Sequence, residues 1–208
     1  MISAVISDFG GVLTKPLMNA FNRVQDDMDV PIEAYGPAFE YSLEHDGVHP
    51  LFALERGEIS EGEFIARLER GFAAVLDRPV SLHGLGEHLI GAMEPNQELF
   101  DHYHALRRER SLRFALCTNN VREWEARWRA LLPIDELFEV VVDSAFVGTR
   151  KPEPEIYAIT LERLGVAAEA CVFIDDLEPN VDAAKSAGMS GIVHRKTAQT
   201  IAELESLL

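Results

Sequence analysis

The sequence predicts an α/β fold: a parallel sheet with helices on both faces and a helical insertion after the first strand. Three observations carry this expectation. Residues 2–7, 112–117, 139–142, 171–174 and 191–193 form short apolar runs rich in Val, Ile and Phe, as buried strands are. Apolar residues at helical spacing fill the intervals between the last four runs, and strands alternating with helices imply parallel pairing. The interval between the first two runs is far longer. Residues 15–91 carry a helical pattern and no comparable strand signal.

Each element has its own signal. The first run ends at Asp8. Within the long interval, Ser60-Glu61-Gly62-Glu63 reads as a capping box, and Phe64, Leu68 and Phe72 then repeat at helical spacing. Leu99, Tyr103 and Leu106 place a helix before the second run; Trp124, Trp128 and Leu131 place one after it. Ile156, Thr160, Leu161 and Leu164 follow the third run, with Gly165 as a stop. Val181, Ala184 and Ala187 follow the fourth, with Gly188 as a stop. Ile201, Leu204 and Leu208 form a closing helix. The expected organisation is a core of residues 1–14 and 92–208, interrupted by a helical domain over 15–91.

Composition narrows the function. The chain has 208 residues, and 19 Lys+Arg against 35 Asp+Glu leave a formal net charge of −16. Such a balance disfavours a nucleic-acid partner held by a general basic surface, and equally an anionic membrane. An anionic substrate would need local positive charge: a metal ion, a lysine or a helix N-terminus. Cys117 and Cys171 each sit at the edge of an apolar run and read as buried thiols rather than a disulfide or a zinc site. With no signal-peptide pattern at the N-terminus and no membrane-length apolar stretch, the expectation is a cytoplasmic protein, monomeric or homodimeric.

Four polar clusters follow strand signals: Asp8-Phe9-Gly10-Gly11, Thr118-Asn119-Asn120, Thr149-Arg150-Lys151-Pro152-Glu153-Pro154-Glu155 and Asp175-Asp176. Singly, each has a bland reading as a cap, a turn or a solvated charge. Together they put a carboxylate, a hydroxyl, a cation and an acid pair at one edge of one parallel sheet, where ligands bind in such folds. That set suits phosphoryl transfer. Asp8 can attack phosphorus. Lys151, Thr118 and backbone N–H groups can stabilise the charge that develops on the phosphoryl oxygens. Asp8, Asp175 and Asp176 would repel one another without a cation, and all-oxygen ligation suits Mg²⁺.

The ordered set resembles the haloacid dehalogenase-like hydrolase superfamily over the whole chain, with the helical stretch matching that family's alpha-helical cap. Arg150-Lys151-Pro152-Glu153-Pro154-Glu155-Ile156-Tyr157 and Phe173-Ile174-Asp175-Asp176-Leu177-Glu178-Pro179-Asn180 look like the subgroup containing a bacterial glucose-1-phosphate phosphatase and the N-terminal domain of soluble epoxide hydrolases. Leu54-Glu55-Arg56-Gly57-Glu58-Ile59-Ser60 looks like it too. The resemblance implies a Rossmann-like core, Asp8 as nucleophile, and Thr118, Asn119 and Lys151 on the substrate phosphate. It also implies magnesium on Asp8, the Gly10 carbonyl, Asp175 and Asp176, and a small phosphorylated substrate such as a sugar phosphate.

The departure is Gly10, where most phosphatases of the superfamily carry a second Asp as general acid and base. Loss of such a donor typically costs about 10²–10⁴ in rate. Two other readings therefore stay open: a metal-independent 2-haloacid dehalogenase, and a non-catalytic regulator that binds a phosphorylated ligand. Asn22, Arg23, His49 and Arg56 are polar residues of the insertion that periodicity cannot rank. Trp124 and Trp128 read as core, and His102 and His104, two apart, as residues on different helix faces.

Overall fold

The computed structural model describes all 208 residues, except the side chains of Val24, Asp26 and Asp27. The chain starts with strand β1 (Ala4–Ser7). Helices α1 (Leu17–Met28), α2 (Tyr35–Asp46), α3 (Pro50–Glu55), α4 (Glu61–Leu76) and α5 (Leu85–Ala92) follow. Next come α6 (Gln97–Arg110), β2 (Arg113–Thr118), α7 (Glu125–Arg129), α8 (Ile134–Leu137), β3 (Val140–Asp143), α9 (Ser144–Val147) and α10 (Pro154–Leu164). The chain ends with β4 (Cys171–Asp175), α11 (Glu178–Ser186), β5 (Ser190–Val193) and α12 (Thr197–Leu207).

The five strands form one parallel sheet in the order β3-β2-β1-β4-β5. Side chains alternate across it, as the strand period of two requires. Val5, Phe114, Leu116, Val172 and Ile174 face one layer, shared with Leu99, Tyr103 and Leu106 of α6 and Leu204 of α12. Ala4, Ile6, Ala115, Cys117 and Phe173 face the other, against Ile156 and Leu164 of α10 and Val181 and Ala184 of α11. Helices on both faces explain why every strand reads as a continuous apolar run. The first layer also continues into the helices that precede α6. Phe64, Leu68 and Phe72 of α4, Leu85 and Leu89 of α5, and Val30 and Leu54 belong to the same buried cluster. Helices α2 and α4 approach so closely that a Cβ on Gly71 would lie 2.5 Å from the Ala38 carbonyl oxygen.

Ser60 caps α4 by accepting from the Glu63 N–H at 3.2 Å. Glu63 turns to Arg67 on the next turn of the helix, so among the described residues the box is made in one direction. Gly165 ends α10 in the left-handed conformation. Helix α11 stops at Ser186, ahead of Gly188, which also has positive φ. The helix expected over Trp124, Trp128 and Leu131 is shorter than its pattern. A 3-10 turn over Arg122–Trp124 leads into α7, which ends at Arg129, with Leu131 in a turn. Pro133 lacks an N–H and disfavours helical backbone at the residue before it, so the pattern cannot continue.

Candidate active site

Asp8 stands just past the C-terminal end of β1, the central strand. Its N–H donates to the Ile174 carbonyl of β4 at 2.8 Å, which continues the β1–β4 ladder by one residue. The chain winds outward from β1 through β2 to β3, then returns to place β4 and β5 on the other side. Asp8 and the end of β4 therefore meet where the winding reverses, the crevice in which doubly wound sheets bind ligands.

Lys151 reaches this crevice from the loop before α10. Its side chain is only 1% exposed. Its ammonium lies 2.7 Å from Asp8 Oδ1 and 2.7 Å from Asp175 Oδ2. Burial works against the ammonium form, but Asp175 and Asp8 outweigh it and raise the Lys151 pKa above the ordinary lysine value. For Asp8, burial pushes the carboxyl up, Lys151 pulls it back, and the charges of Asp175 and Asp176 add to the rise. Its Oδ1 also accepts the Phe9 N–H at 2.7 Å.

Asn119 is the positioning device for Lys151. Its amide oxygen accepts the Lys151 N–H at 2.8 Å, and its amide nitrogen donates to the Lys151 carbonyl at 3.0 Å. Asn119, expected on the substrate phosphate, has its side chain engaged with the lysine main chain. A peptide group needs a matching donor and acceptor, and the Asn amide supplies both. Thr118, at the end of β2, is buried beside it, and its hydroxyl makes only a 3.5 Å contact to the Asn119 carbonyl.

Oxygens of Asp8, Asp175 and Asp176 all lie within 4.8 Å of one another. The Lys151 ammonium pairs with two of these three carboxylates, and an oxygen-ligated divalent cation fits the donor set. The three are not equivalent. Asp175 is fully buried. Its Oδ1 accepts from the Leu177 N–H at 2.8 Å and Asn180 Nδ2 at 3.0 Å; its Oδ2 accepts from Lys151 Nζ at 2.7 Å and Asn180 Nδ2 at 3.1 Å. Three protein donors, Leu177 N–H, Asn180 Nδ2 and Lys151 Nζ, thus occupy most of the acceptor positions of Asp175 and make it the anchor of Lys151. Asp176 is half-buried, and no lysine or arginine pairs with its carboxylate among the described residues. The chain makes room for it with Gly11. That residue has φ +76°, and a Cβ there would lie 2.3 Å from Asp176 Oδ2.

Gly10 and Thr118 open onto a cavity of about 410 Å³ between the sheet edge and helices α1–α5. Glu55 at the end of α3 lies in its wall. Burial pushes the Glu55 carboxyl up, against the Arg150 guanidinium paired with it. Next to it, Arg56 pairs with Glu153, which also accepts from the Arg150 N–H and the Thr149 hydroxyl. Arg150 lies 4.0 Å over the Phe52 ring. Two crossed ion pairs thus join α3 to the Lys151 loop. Sequence reading missed Glu55, Arg150 and Asn180 as site residues. The Glu55–Arg150 partners are 95 positions apart, and no local pattern announces them. Of the unranked residues, Arg23 pairs with Glu94, and His49 stacks between Phe39 and Phe52. Trp124 and Trp128 both belong to the buried core, and Trp124 also lines the cavity and donates to Glu61.

The comparisons with known proteins agree with this architecture. The chain is 23% identical over 211 residues to the bifunctional epoxide hydrolase 2 of Mus musculus, covering 96% of this chain and 38% of that protein. It is 35% identical over 96 residues to a phosphatase of Mycobacterium tuberculosis, covering 45% and 43%. The chain spans less than half the length of these curated relatives. A Bacteroides thetaiotaomicron enzyme of the haloacid dehalogenase family, solved with magnesium and inorganic phosphate, superposes with a TM-score of 0.67 at 21% identity, over 94% of this chain and 95% of that one. The model of the family described as haloacid dehalogenase-like hydrolase matches residues 2–188. A reversal point carrying Asp8, Lys151 and the β4 acid pair is thus found in a chain that belongs to the haloacid dehalogenase-like hydrolases.

Proposed function

We propose that this protein is a magnesium-dependent phosphatase of a small phosphorylated metabolite that works through an aspartyl-phosphate intermediate. The observation that carries the reading is the buried Lys151 ammonium between Asp8 and Asp175, with Asp176 beside them. The names of two similar proteins support it: the mycobacterial relative is a phosphatase, and the Bacteroides enzyme was solved with magnesium and phosphate.

In this reading residues 15–91 form a cap and residues 1–14 with 92–208 form the core. A carboxylate oxygen of Asp8 attacks phosphorus, and the bond to the leaving oxygen breaks; the alcohol departs with a proton. Water then attacks phosphorus, the bond to Asp8 breaks, and inorganic phosphate leaves with Asp8 regenerated. Lys151 and the Thr118 hydroxyl stabilise the equatorial oxygens, while Asp175, Asn180 and Asn119 hold Lys151 in place. Asp8, the Gly10 carbonyl and Asp176 would hold magnesium, which when bound offsets the repulsion between Asp8 and a phosphate dianion.

Phosphate release from a broad panel of phosphomonoesters, with Mg²⁺ and with chelator, tests this, with halide release from 2-haloacids measured in parallel. The expected result is phosphate release that chelator abolishes. Halide release insensitive to chelator would make the protein a dehalogenase. Binding of phosphorylated ligands without turnover of any ester would make it a regulator.

A further inference from the structure

We infer that the substrate is the phosphomonoester of an apolar alcohol, its hydrocarbon part lying in the cavity beside Gly10 and Thr118. The inference rests on the phosphatase reading above. One wall of the cavity is made by Phe9, Gly10, Thr118 and Asn119, the neighbours of Asp8 and of the phosphate-stabilising groups. Whatever fills it is therefore continuous with the reacting phosphorus. The remaining wall is mostly hydrocarbon, with Leu17, Phe21, Phe39, Leu51, Leu89 and Trp124 among its residues.

The polar groups of the wall are largely engaged with protein. Asn119 holds the Lys151 main chain, the Asn120 side-chain oxygen accepts the Val121 N–H, Glu55 pairs with Arg150, and the Trp124 N–H donates to Glu61. Among the described residues the buried Tyr35 hydroxyl has no partner, so the wall offers at least one hydrogen bond to a tail. The sugar that the family resemblance implies would bury several hydroxyls against carbon, and burial of unpaired polar groups opposes binding. An alkyl, prenyl or aryl group loses nothing there and leaves water. The volume of about 410 Å³ falls in the range of small-molecule sites. At about 30 Å³ per water-sized group it accommodates roughly a dozen carbon atoms.

The test is a series of 1-alkyl phosphates from ethyl to dodecyl, with glucose 1-phosphate, glucose 6-phosphate and p-nitrophenyl phosphate, assayed with Mg²⁺. The expected result is a kcat/KM that rises by up to about fourfold per added methylene, then levels off once the cavity is filled. Both glucose phosphates should fall below the longer alkyl esters. Leu51→Trp should move the levelling point to shorter chains and Phe21→Ala to longer ones. Phosphate release with no chain-length dependence, or faster release from the glucose phosphates, overturns the inference and leaves the phosphatase reading standing. A levelling point unmoved in both folded variants also overturns it. No release from any ester, p-nitrophenyl phosphate included, overturns both.

Discussion

Asp8 combines two properties that separate activity from stability. The proposed mechanism makes it the nucleophile, so Asp8→Asn should abolish phosphate release. As a buried carboxylate sharing one ammonium with Asp175 and lying beside Asp176, it is a burden on the fold, because burial and its acidic neighbours disfavour its charge. The variant should therefore keep its urea midpoint or raise it. Lys151 behaves in the opposite way. Lys151→Met leaves Asp8 and Asp175 facing each other without a cation, and breaking a buried ion pair from one side costs about 3–5 kcal/mol. Chemical denaturation of the variant against wild type measures this; an unchanged midpoint would mean that the carboxylates are not held as ions. In the proposed mechanism Gly10 leaves the departing oxygen without a carboxyl two residues after Asp8. With no carboxyl there, good leaving groups such as aryl or acyl phosphates should react faster than alkyl phosphates by roughly 10²–10⁴. Gly10→Asp should narrow the gap, since the new Cβ meets only the flexible end of Leu17 at 3.1 Å. Glu55→Gln identifies the donor in wild type: a steeper dependence on leaving-group pKa assigns the proton to Glu55, and an unchanged one assigns it to water.

Short elements hold these residues, and their junctions carry the next prediction. Glu153 stands at the N-terminus of α10, and its carboxyl turns back into the loop to accept from the Arg150 N–H while receiving Arg56 from the end of α3. Burial pushes it up, but the donors from Arg56, the Arg150 N–H and Thr149 outweigh that and hold it at about 2, below its ordinary 4.5. A depressed carboxylate contributes stability that is present above its unfolded pKa and lost as pH falls through its folded pKa. The difference in urea midpoint between wild type and Glu153→Gln should therefore be full above pH 4.5 and vanish toward pH 2. A constant difference would mean that the carboxylate's charge plays no part in joining α3 to the Lys151 loop.

For the molecule as a whole, the acid cluster links metal binding to folding. A cation that binds the native state alone raises stability by about 2.7 kcal/mol at a hundred times its Kd. The thermal midpoint should therefore rise with Mg²⁺ and fall back in chelator, and Asp176→Ala should lose most of the shift. A midpoint indifferent to Mg²⁺ at millimolar concentration would remove the metal from the native state. Among the described residues, no helix is long and apolar enough to cross a membrane.

Much of this was readable before any coordinates. All five strands, the helices α6, α10, α11 and α12, and the positions of Asp8, Thr118, Asp175 and Asp176 at strand ends and of Lys151 ahead of α10 follow from local pattern, because strand periodicity, apolar runs and glycine stops act within a few residues. Even the extent of the helical interval between β1 and α6 shows in the sequence as a missing strand signal. The tertiary structure alone decided what those residues do to one another. That Asn119 holds the Lys151 main chain rather than facing outward, and that Asp175 is engaged by Lys151, Asn180 and Leu177 while Asp176 stays open to a cation, depends on the register of β2, β1 and β4. The apolar cavity over Gly10 is more remote still. Its wall is assembled from residues spread between Phe9 and Trp124, and its apolar members read in sequence as ordinary core. Burial and cavity shape arise from packing between distant segments, and no local pattern encodes where two packed layers fail to meet.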